Sequence, residues 1–182
     1  LGAGAAQGQP QAASIPLAAG GRARATILTG RSANEFHRWL AEELQRHLRL
    51  LSGVTFPIAT SPDSASSQVQ LLLGGPQSNE LVAAAQHRKL VDFTSLGQDG
   101  FLVQRIQLDG RPALIVGGRD EASTMYAVYE LLEQLGVVFH LTGDIIPAQK
   151  TNLTLPDFNV RKQAALKHRG FQLRQFVMPW MG

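Results

Sequence analysis

Residues 114–147 read LIVGGRDEASTMYAVYELLEQLGVVFHLTGDIIP, and their pattern of apolar residues and glycines says most about the fold. An apolar strand enters a Gly-Gly turn, and an amphipathic helix follows over about 120–135. Gly136 can take the left-handed conformation that ends a helix, and a second apolar strand then runs to a Gly-Asp turn. The stretch therefore predicts a strand, a helix and a strand in succession. The predicted buried stripe of the helix is Ala122, Met125, Tyr126, Tyr129, Leu132 and Leu135.

The chain before this stretch alternates strand and helix patterns. Ser32 and Glu35 predict a capping box that opens a helix ending at Gly53. Asp109-Gly110 between two apolar runs predicts a tight antiparallel hairpin. We therefore expect an α+β (α/β) fold in which a mixed β-sheet carries two longer helices and a shorter one. The predicted strands are 23–29, 56–60, 69–73, 101–108 and 112–116, and the shorter helix starts near Ser78. The predicted buried face of the first helix is Phe36, Leu40, Leu44, His47, Leu48 and Leu51.

Length and composition exclude several classes of protein. The 182 residues are 44% hydrophobic, which is enough for one good core. Because the chain has no cysteine, disulfide scaffolds, zinc-thiolate sites and cysteine nucleophiles are excluded. The net charge of +3 is too modest and too dispersed to predict nucleic-acid binding. No apolar run approaches the roughly 18 residues that a membrane span requires, so no membrane span is predicted.

Residues 1–21 are mostly Ala, Gly, Gln and Pro, and they carry no charged residue. They have too few large apolar side chains to fold, so we predict a disordered leader. Ala3, Ala5 and Ala6 suit a signal peptidase, and the leader would then be the remainder of an export signal. A cloning choice is the alternative. We expect an exported protein, extracellular or periplasmic.

The stretch 117–147 resembles the pattern G-x(n)-Y-A-x-Y-x-(L/F)-L-E-x-L-G-hydrophobic-x-(W/F). That pattern belongs to the non-catalytic accessory domain before the catalytic barrel in glycoside hydrolase families 67 and 20. The resemblance implies a family 67 α-glucuronidase N-terminal or β-N-acetylhexosaminidase domain 2-like domain that packs on a downstream (β/α)8 barrel of the same polypeptide. The carbohydrate substrate would belong to that parent enzyme. We place a leader at 1–21, the accessory domain at 22–156, and a linker with the start of the barrel at 157–182.

A second resemblance lies near the C-terminus. His168-Arg169-Gly170-Phe171-Gln172-Leu173 is similar to (Y/F)-R-G-hydrophobic-x-L-D, the first barrel strand of family 20. The resemblance implies that Arg169 contacts sugar hydroxyls, whereas the alternative is a solvated linker charge. Arg174 stands where the pattern has aspartate, and this departure leaves room for family 67 or a related group.

The chain shows no catalytic, metal or cofactor site of its own. It has no G-x-S-x-G, and its five histidines show no H-x-x-x-H spacing that would place two metal ligands on one helical face. A glycosidase needs two carboxylates that face each other across the sugar bond. The candidates here are predicted to face solvent on helices or to occupy turns beside glycine. They are Glu42, Glu43, Glu130, Glu133, Asp99, Asp109 and Asp144.

Three glycine turns, at 29–32, 74–78 and 117–120, each join a strand to a helix. They are compatible with phosphate binding at helix N-termini, although none completes a P-loop or a dinucleotide motif. The alternative is that the glycines only permit sharp turns with positive φ. Besides the accessory domain, an autonomous carbohydrate-binding domain and a nucleotide-binding α/β domain therefore remain open.

Overall fold

A computed structural model describes residues 14–62, 67–155 and 159–165. Its helices are α1 (Glu35–Ser52), α2 (Glu80–His87) and α3 (Glu121–Gln134). Its strands are β1 (Ile15–Ala19), β2 (Arg22–Ala23), β3 (Ala25–Leu28), β4 (Ile58–Ala59), β5 (Val69–Leu73), β6 (Phe101–Leu108), β7 (Arg111–Gly118), β8 (Leu153–Leu155) and β9 (Val160–Lys162).

The larger sheet has the strand order β4-β3-β5-β7-β6-β9. Strands β4, β3, β5 and β7 run parallel, whereas β6 and β9 are antiparallel to their neighbours. Asp109 (φ 50°) and Gly110 (φ 75°) form the turn between β6 and β7, as a tight hairpin requires. The prediction of a mixed sheet with two longer helices and a shorter one is confirmed.

Alternate residues of the central strands enter two different cores. Ile27 and Leu71 pack with α1 and α3 on one face of the sheet. Their neighbours Leu28 and Leu72 pack with α2 on the other face. Helices that follow adjacent parallel strands therefore lie on opposite faces, and this arrangement leaves a crevice at the carboxyl ends of β3, β5 and β7.

The observed helix ends agree in part with those predicted from the sequence. Gly53 ends α1 in the left-handed conformation (φ 75°), and Gly136 (φ 97°) follows α3, both as predicted. The prediction of a capping box at Ser32 is wrong. Asn34 is the N-cap of α1, and its side chain accepts a hydrogen bond from the His37 backbone N–H. Asn34 occupies the position from which a side chain reaches the third backbone N–H of the helix.

Two expectations about the chain ends are corrected where the structure describes them. Ile15–Ala19 lies within the predicted disordered leader, yet it forms β1 of a small sheet with the order β2-β1-β8. Leu17 in this strand is fully buried, so these few apolar residues are enough to anchor it. Val160–Lys162, within the predicted linker, pairs with β6 as an edge strand of the larger sheet.

Several predicted elements are shorter or rotated. The predicted strand 23–29 is divided between β2 and β3, and 56–60 contributes only Ile58–Ala59. The predicted strand after Gly136 is a single antiparallel bridge between Val138 and Ile145. In α3 the predicted stripe is rotated, because the helix packs on both β7 and α1. Ala122 is exposed, and the buried apolar residues of the helix are Ala127, Val128, Leu131 and Leu132.

Candidate functional site

The three glycine turns meet around one cleft at the carboxyl ends of β3, β5 and β7. The cleft has a volume of about 330 Å³. The first turn and the start of α1 contribute Ser32, Asn34 and His37, the second turn contributes Gln77 and Ser78, and the third contributes residues 119–121. The sequence thus identified the correct turns but not their shared cleft.

The glycines of these turns serve backbone packing. A Cβ on Gly75 would collide with the carbonyl oxygen of Gly118, and a Cβ on Gly117 would collide with that of Gly74. Gly30 (φ 79°) and Gly74 (φ 113°) have positive φ, as predicted. Gly117 and Gly118 do not, so their role is close approach between the second and third turns. At Gly75 and Gly117 the missing side chain therefore makes room for neighbouring backbone.

Asn79 holds the base of the cleft together. Its side chain is fully buried and donates hydrogen bonds to the carbonyl oxygens of Leu28 (2.9 Å) and Leu73 (3.0 Å). Its oxygen accepts from the Leu81 backbone N–H at 3.0 Å, which caps α2. One amide therefore joins the ends of β3 and β5 to the start of α2, a role that sequence reasoning missed.

A chain of hydrogen bonds orients His37 at the rim. Asn34 donates through Nδ2 to Glu121 Oε1 at 2.5 Å, so its Oδ1 faces α1. That Oδ1 accepts from the His37 backbone N–H at 3.1 Å and lies 2.6 Å from His37 Nδ1. Because a carbonyl oxygen only accepts, Nδ1 carries the proton and the other ring nitrogen, Nε2, is a bare acceptor.

The environment of His37 keeps its ring neutral. Burial lowers the pKa of His37 below its usual value, although the negative charge of Glu121 partly opposes this effect. The side chain is only 6% exposed. The ring therefore stays uncharged at neutral pH and presents a hydrogen-bond acceptor.

The charges around the cleft do not suit an anion. Asp120 and Glu121 line it beside Arg119, whose guanidinium donates to the Leu96 carbonyl at 2.9 Å. The Asp120 side chain also accepts a hydrogen bond of 2.8 Å from the Ser123 backbone N–H, as part of a capping box at the start of α3. A phosphate would meet two carboxylates here, and the capped helix ends offer it little compensation.

A second polar cluster fixes the segment after α3. His47 is fully buried, as expected for a satisfied interior histidine, with Nδ1 3.0 Å from the Glu43 carbonyl oxygen and Nε2 3.2 Å from Asp144 Oδ2. Arg46 forms a bidentate ion pair with Glu43, with two hydrogen bonds of 2.9 Å, and this pairing lowers the pKa of the Glu43 carboxyl. Phe139 packs edge-on against the His47 ring at 5.5 Å between centroids. The cluster ties the segment around Asp144 to α1.

The prediction that Glu43 and Glu130 face solvent is wrong. Glu43 is mostly covered by its pairing with Arg46. Glu130 is 6% exposed and accepts from Lys162 Nζ at 2.6 Å and from Gln134 at 3.0 Å. Burial raises the pKa of Glu130, and these hydrogen bonds lower it by more, so it lies below its usual value. Both acids therefore hold structure together through ion pairs.

The described residues contain little that resembles a reaction centre. Within 14–62, 67–155 and 159–165, no three His, Asp or Glu side chains are placed to hold a metal ion. None of the helices in those ranges has the length and apolar character needed to cross a bilayer. Arg169, the predicted sugar contact, lies outside the described residues, so its role stays a prediction.

Known proteins share both the sequence pattern and the fold. Residues 21–131 match the family model for the glycosyl hydrolase family 67 N-terminus. A family GH115 4-O-methyl-α-glucuronidase with specificity for decorated arabinogalactans is similar in structure, with a TM-score of 0.60 and 22% identity over 82% of this chain and 18% of that chain. A Streptomyces plicatus β-hexosaminidase with GlcNAc bound gives a TM-score of 0.40 and 15% identity over 68% of this chain and 18% of that chain. No curated protein matches the sequence.

Proposed function

This chain belongs to the glycosyl hydrolase family 67 N-terminal family, and on that premise we propose that it is a non-catalytic accessory domain of a larger carbohydrate-active enzyme. It packs against a downstream (β/α)8 catalytic barrel of the same polypeptide, and that barrel supplies the catalytic acids. The parent acts on a carbohydrate as an α-glucuronidase or a hexosaminidase-like enzyme. The family membership confirms the resemblance found in the stretch 117–147.

The size of a similar enzyme supports this arrangement. The chain spans 18% of the length of the GH115 α-glucuronidase that shares its fold. More than four fifths of that enzyme therefore lies outside the matching domain. A parent with the same layout has ample length for a catalytic barrel beyond this domain.

The observation that carries the proposal is an exposed apolar loop, residues 138–145. Val138 is 53% exposed, Ile145 is 60% exposed and Leu141 is fully exposed. Val138 and Ile145 exchange backbone hydrogen bonds of 3.0 and 2.8 Å, and Asp144 is tied to α1 through His47. Large apolar side chains gathered on a braced loop are typical of a surface that contacts a partner.

The path of the chain indicates which partner covers this loop. Phe139 at the start of the loop packs edge-on against Tyr129 of α3, with ring centroids 4.7 Å apart. Tyr129 in turn lines a surface cavity together with Gln163 and Ala164, at the end of the described residues. Tyr129 therefore lies between Phe139 of the loop and residues 163–164, and on this basis we propose that the downstream domain covers the loop.

The first experiment measures the mass of the native polypeptide by peptide identification on a sized band. A polypeptide several times heavier than 19.7 kDa is expected. A polypeptide of about 19.7 kDa would overturn the proposal. Hydrogen–deuterium exchange then compares this chain alone with the full polypeptide. We expect the amides of 138–145 to be slowed in the full polypeptide.

A variant pair tests the loop itself. Replacing Leu141 and Ile145 by serine in the full polypeptide should remove that slowing and lower the thermal stability of the assembled domains. Leu90→Ser is the control, because Leu90 is an exposed leucine (37%) that follows α2, outside the loop. Equal effects from the loop variant and the control would contradict docking at the loop.

Export of the parent is part of the proposal and has a separate basis. It is supported by the small residues of the predicted leader, which suit a signal peptidase. Fractionation of source cells should place the polypeptide outside the cytoplasm. Recovery in the cytoplasm alone would remove export and leave the docking proposal intact.

A further inference from the structure

We propose that the cleft at the carboxyl ends of β3, β5 and β7 binds a neutral, hydroxyl-bearing small molecule of monosaccharide size, whose hydroxyl group donates a hydrogen bond to His37 Nε2. The proposal rests on the chemistry of the cleft alone. It does not depend on whether the apolar loop docks on a catalytic domain.

Nε2 of His37 opens into the cleft. His37 is more than nine-tenths buried, and its hydrogen bonds use only Nδ1 and the backbone N–H. In the described part of the chain, no fully buried side-chain nitrogen or oxygen lacks a hydrogen-bond partner. Since Nε2 has no partner there, it must reach the open space that His37 lines, which is the cleft.

Nε2 can only accept a hydrogen bond. The Asn34 amide is fixed at both ends, by the His37 backbone N–H and by Glu121, and this places the ring proton on Nδ1. An aprotic nitrogen requires an O–H or N–H group from its partner. A buried acceptor that faces a cleft without a protein donor is therefore suited to a ligand hydroxyl.

The lining and volume of the cleft limit the charge and size of the ligand. The carboxylates of Asp120 and Glu121 on the rim disfavour an anion, while Ser32 and Gln77 offer neutral hydrogen-bonding groups. A cavity of about 330 Å³ lies at the lower end of the usual range for small-molecule sites. Sugar hydroxyls donate and accept at once, which matches a rim of mixed polarity.

Nuclear magnetic resonance on the 15N-labelled chain tests each step. Long-range proton–nitrogen spectra report the His37 tautomer directly, and the Nδ1-protonated form is expected at neutral pH. D-xylose, D-glucose and D-galactose are then titrated to about 100 mM, with inorganic phosphate as the anionic probe. A saturable shift of the Nε2 resonance and of amides at the rim, caused by at least one sugar, is the expected result.

Two variants connect any shift to the cleft. His37→Phe keeps a ring of similar shape and should abolish the saturable response. Ser32→Leu changes an exposed residue at the mouth and should block the cleft without disturbing the core. Leu90→Ser, outside the residues that line the cleft, should leave the response unchanged.

Four results would overturn the inference. Three are a ring protonated on Nε2, the absence of a saturable response to all three sugars, and a response that persists in both cleft variants. The fourth is saturation by phosphate instead of sugar, which would favour an anion site. None of these results bears on docking by the loop, which is measured in the full polypeptide by a different assay.

Discussion

Asn79→Ala is expected to be among the most destabilising single changes in this domain. The substitution removes two buried hydrogen bonds to the carbonyl oxygens of Leu28 and Leu73, each worth about 0.5–1.5 kcal/mol net. It also removes the N-cap of α2, worth about 1 kcal/mol. The expected loss is about 2–4 kcal/mol, a large part of the roughly 5–15 kcal/mol that stabilises a typical domain.

Urea unfolding followed by far-ultraviolet circular dichroism measures this loss. With a slope of about 2 kcal/mol per molar urea, a loss of about 3 kcal/mol lowers the midpoint by about 1.5 M. Asn152→Ala is the matched control, since Asn152 is exposed and accepts one hydrogen bond from the Gly20 backbone N–H, and it should cost less than about 0.5 kcal/mol.

Asn79→Asp separates the two roles of this side chain. Aspartate keeps the oxygen that caps α2, but it cannot donate to the two carbonyl oxygens and it buries a charge beside them. We expect it to be at least as destabilising as alanine at neutral pH. If aspartate instead restores stability close to that of asparagine, the cap alone matters and the argument from the two strand ends is refuted.

Three further changes have defined outcomes. Gly117→Ala should cost about 3 kcal/mol in urea unfolding, because its Cβ meets the backbone of the neighbouring glycine turn. Glu130→Gln should cost about 1 kcal/mol at pH 7, since the hydrogen bond to the half-exposed Lys162 loses its charge. The folded pKa of Glu130 is depressed, so this difference should be complete above about pH 5 and shrink as the pH falls through that depressed value. Asp144→Ala should speed hydrogen exchange of 138–145 about tenfold, because the loop loses its contact with His47.

Each of these changes has a control within the chain. Gly21→Ala adds a Cβ to open space at positive φ (69°), so it carries a conformational cost of about 1–2 kcal/mol without a collision. A Gly117 variant no more costly than this would contradict the close packing of the turns. Glu133→Gln on the exposed side of α3 should cost less than about 0.5 kcal/mol at pH 7. Glu42→Ala on the exposed face of α1 should leave exchange of the loop unchanged.

The architecture was predictable because its strongest signals are local. The Asp109-Gly110 turn, the glycines that end α1 and α3, and the apolar runs each act over a few residues. These signals are enough to place the central strands and all three helices. They fail at β1, where a short run gains its stability from pairing with β8, more than 130 residues away.

The details of the site were not predictable, because they depend on distant partners. Ser32 and Asn34 both suit a helix N-cap, and the structure selects Asn34, whose amide also bonds Glu121, 87 residues away. Glu130 looks like a surface acid until β9 brings Lys162 beside it. Single-sequence patterns contain no information about such pairs, since helix spacing alone decides which side chains look exposed.

The cleft and the apolar loop contact α1 at different points along its length, so sugar binding and loop docking can be tested independently. His37 faces the cleft and His47 braces the loop, ten residues apart on α1. At a rise of 1.5 Å per residue their Cα atoms are about 15 Å apart, beyond the distance at which substitutions usually couple. His37→Phe should therefore leave loop exchange unchanged, and Asp144→Ala should leave the sugar response unchanged. If one variant altered both measurements, α1 would have to transmit a change between the cleft and the loop.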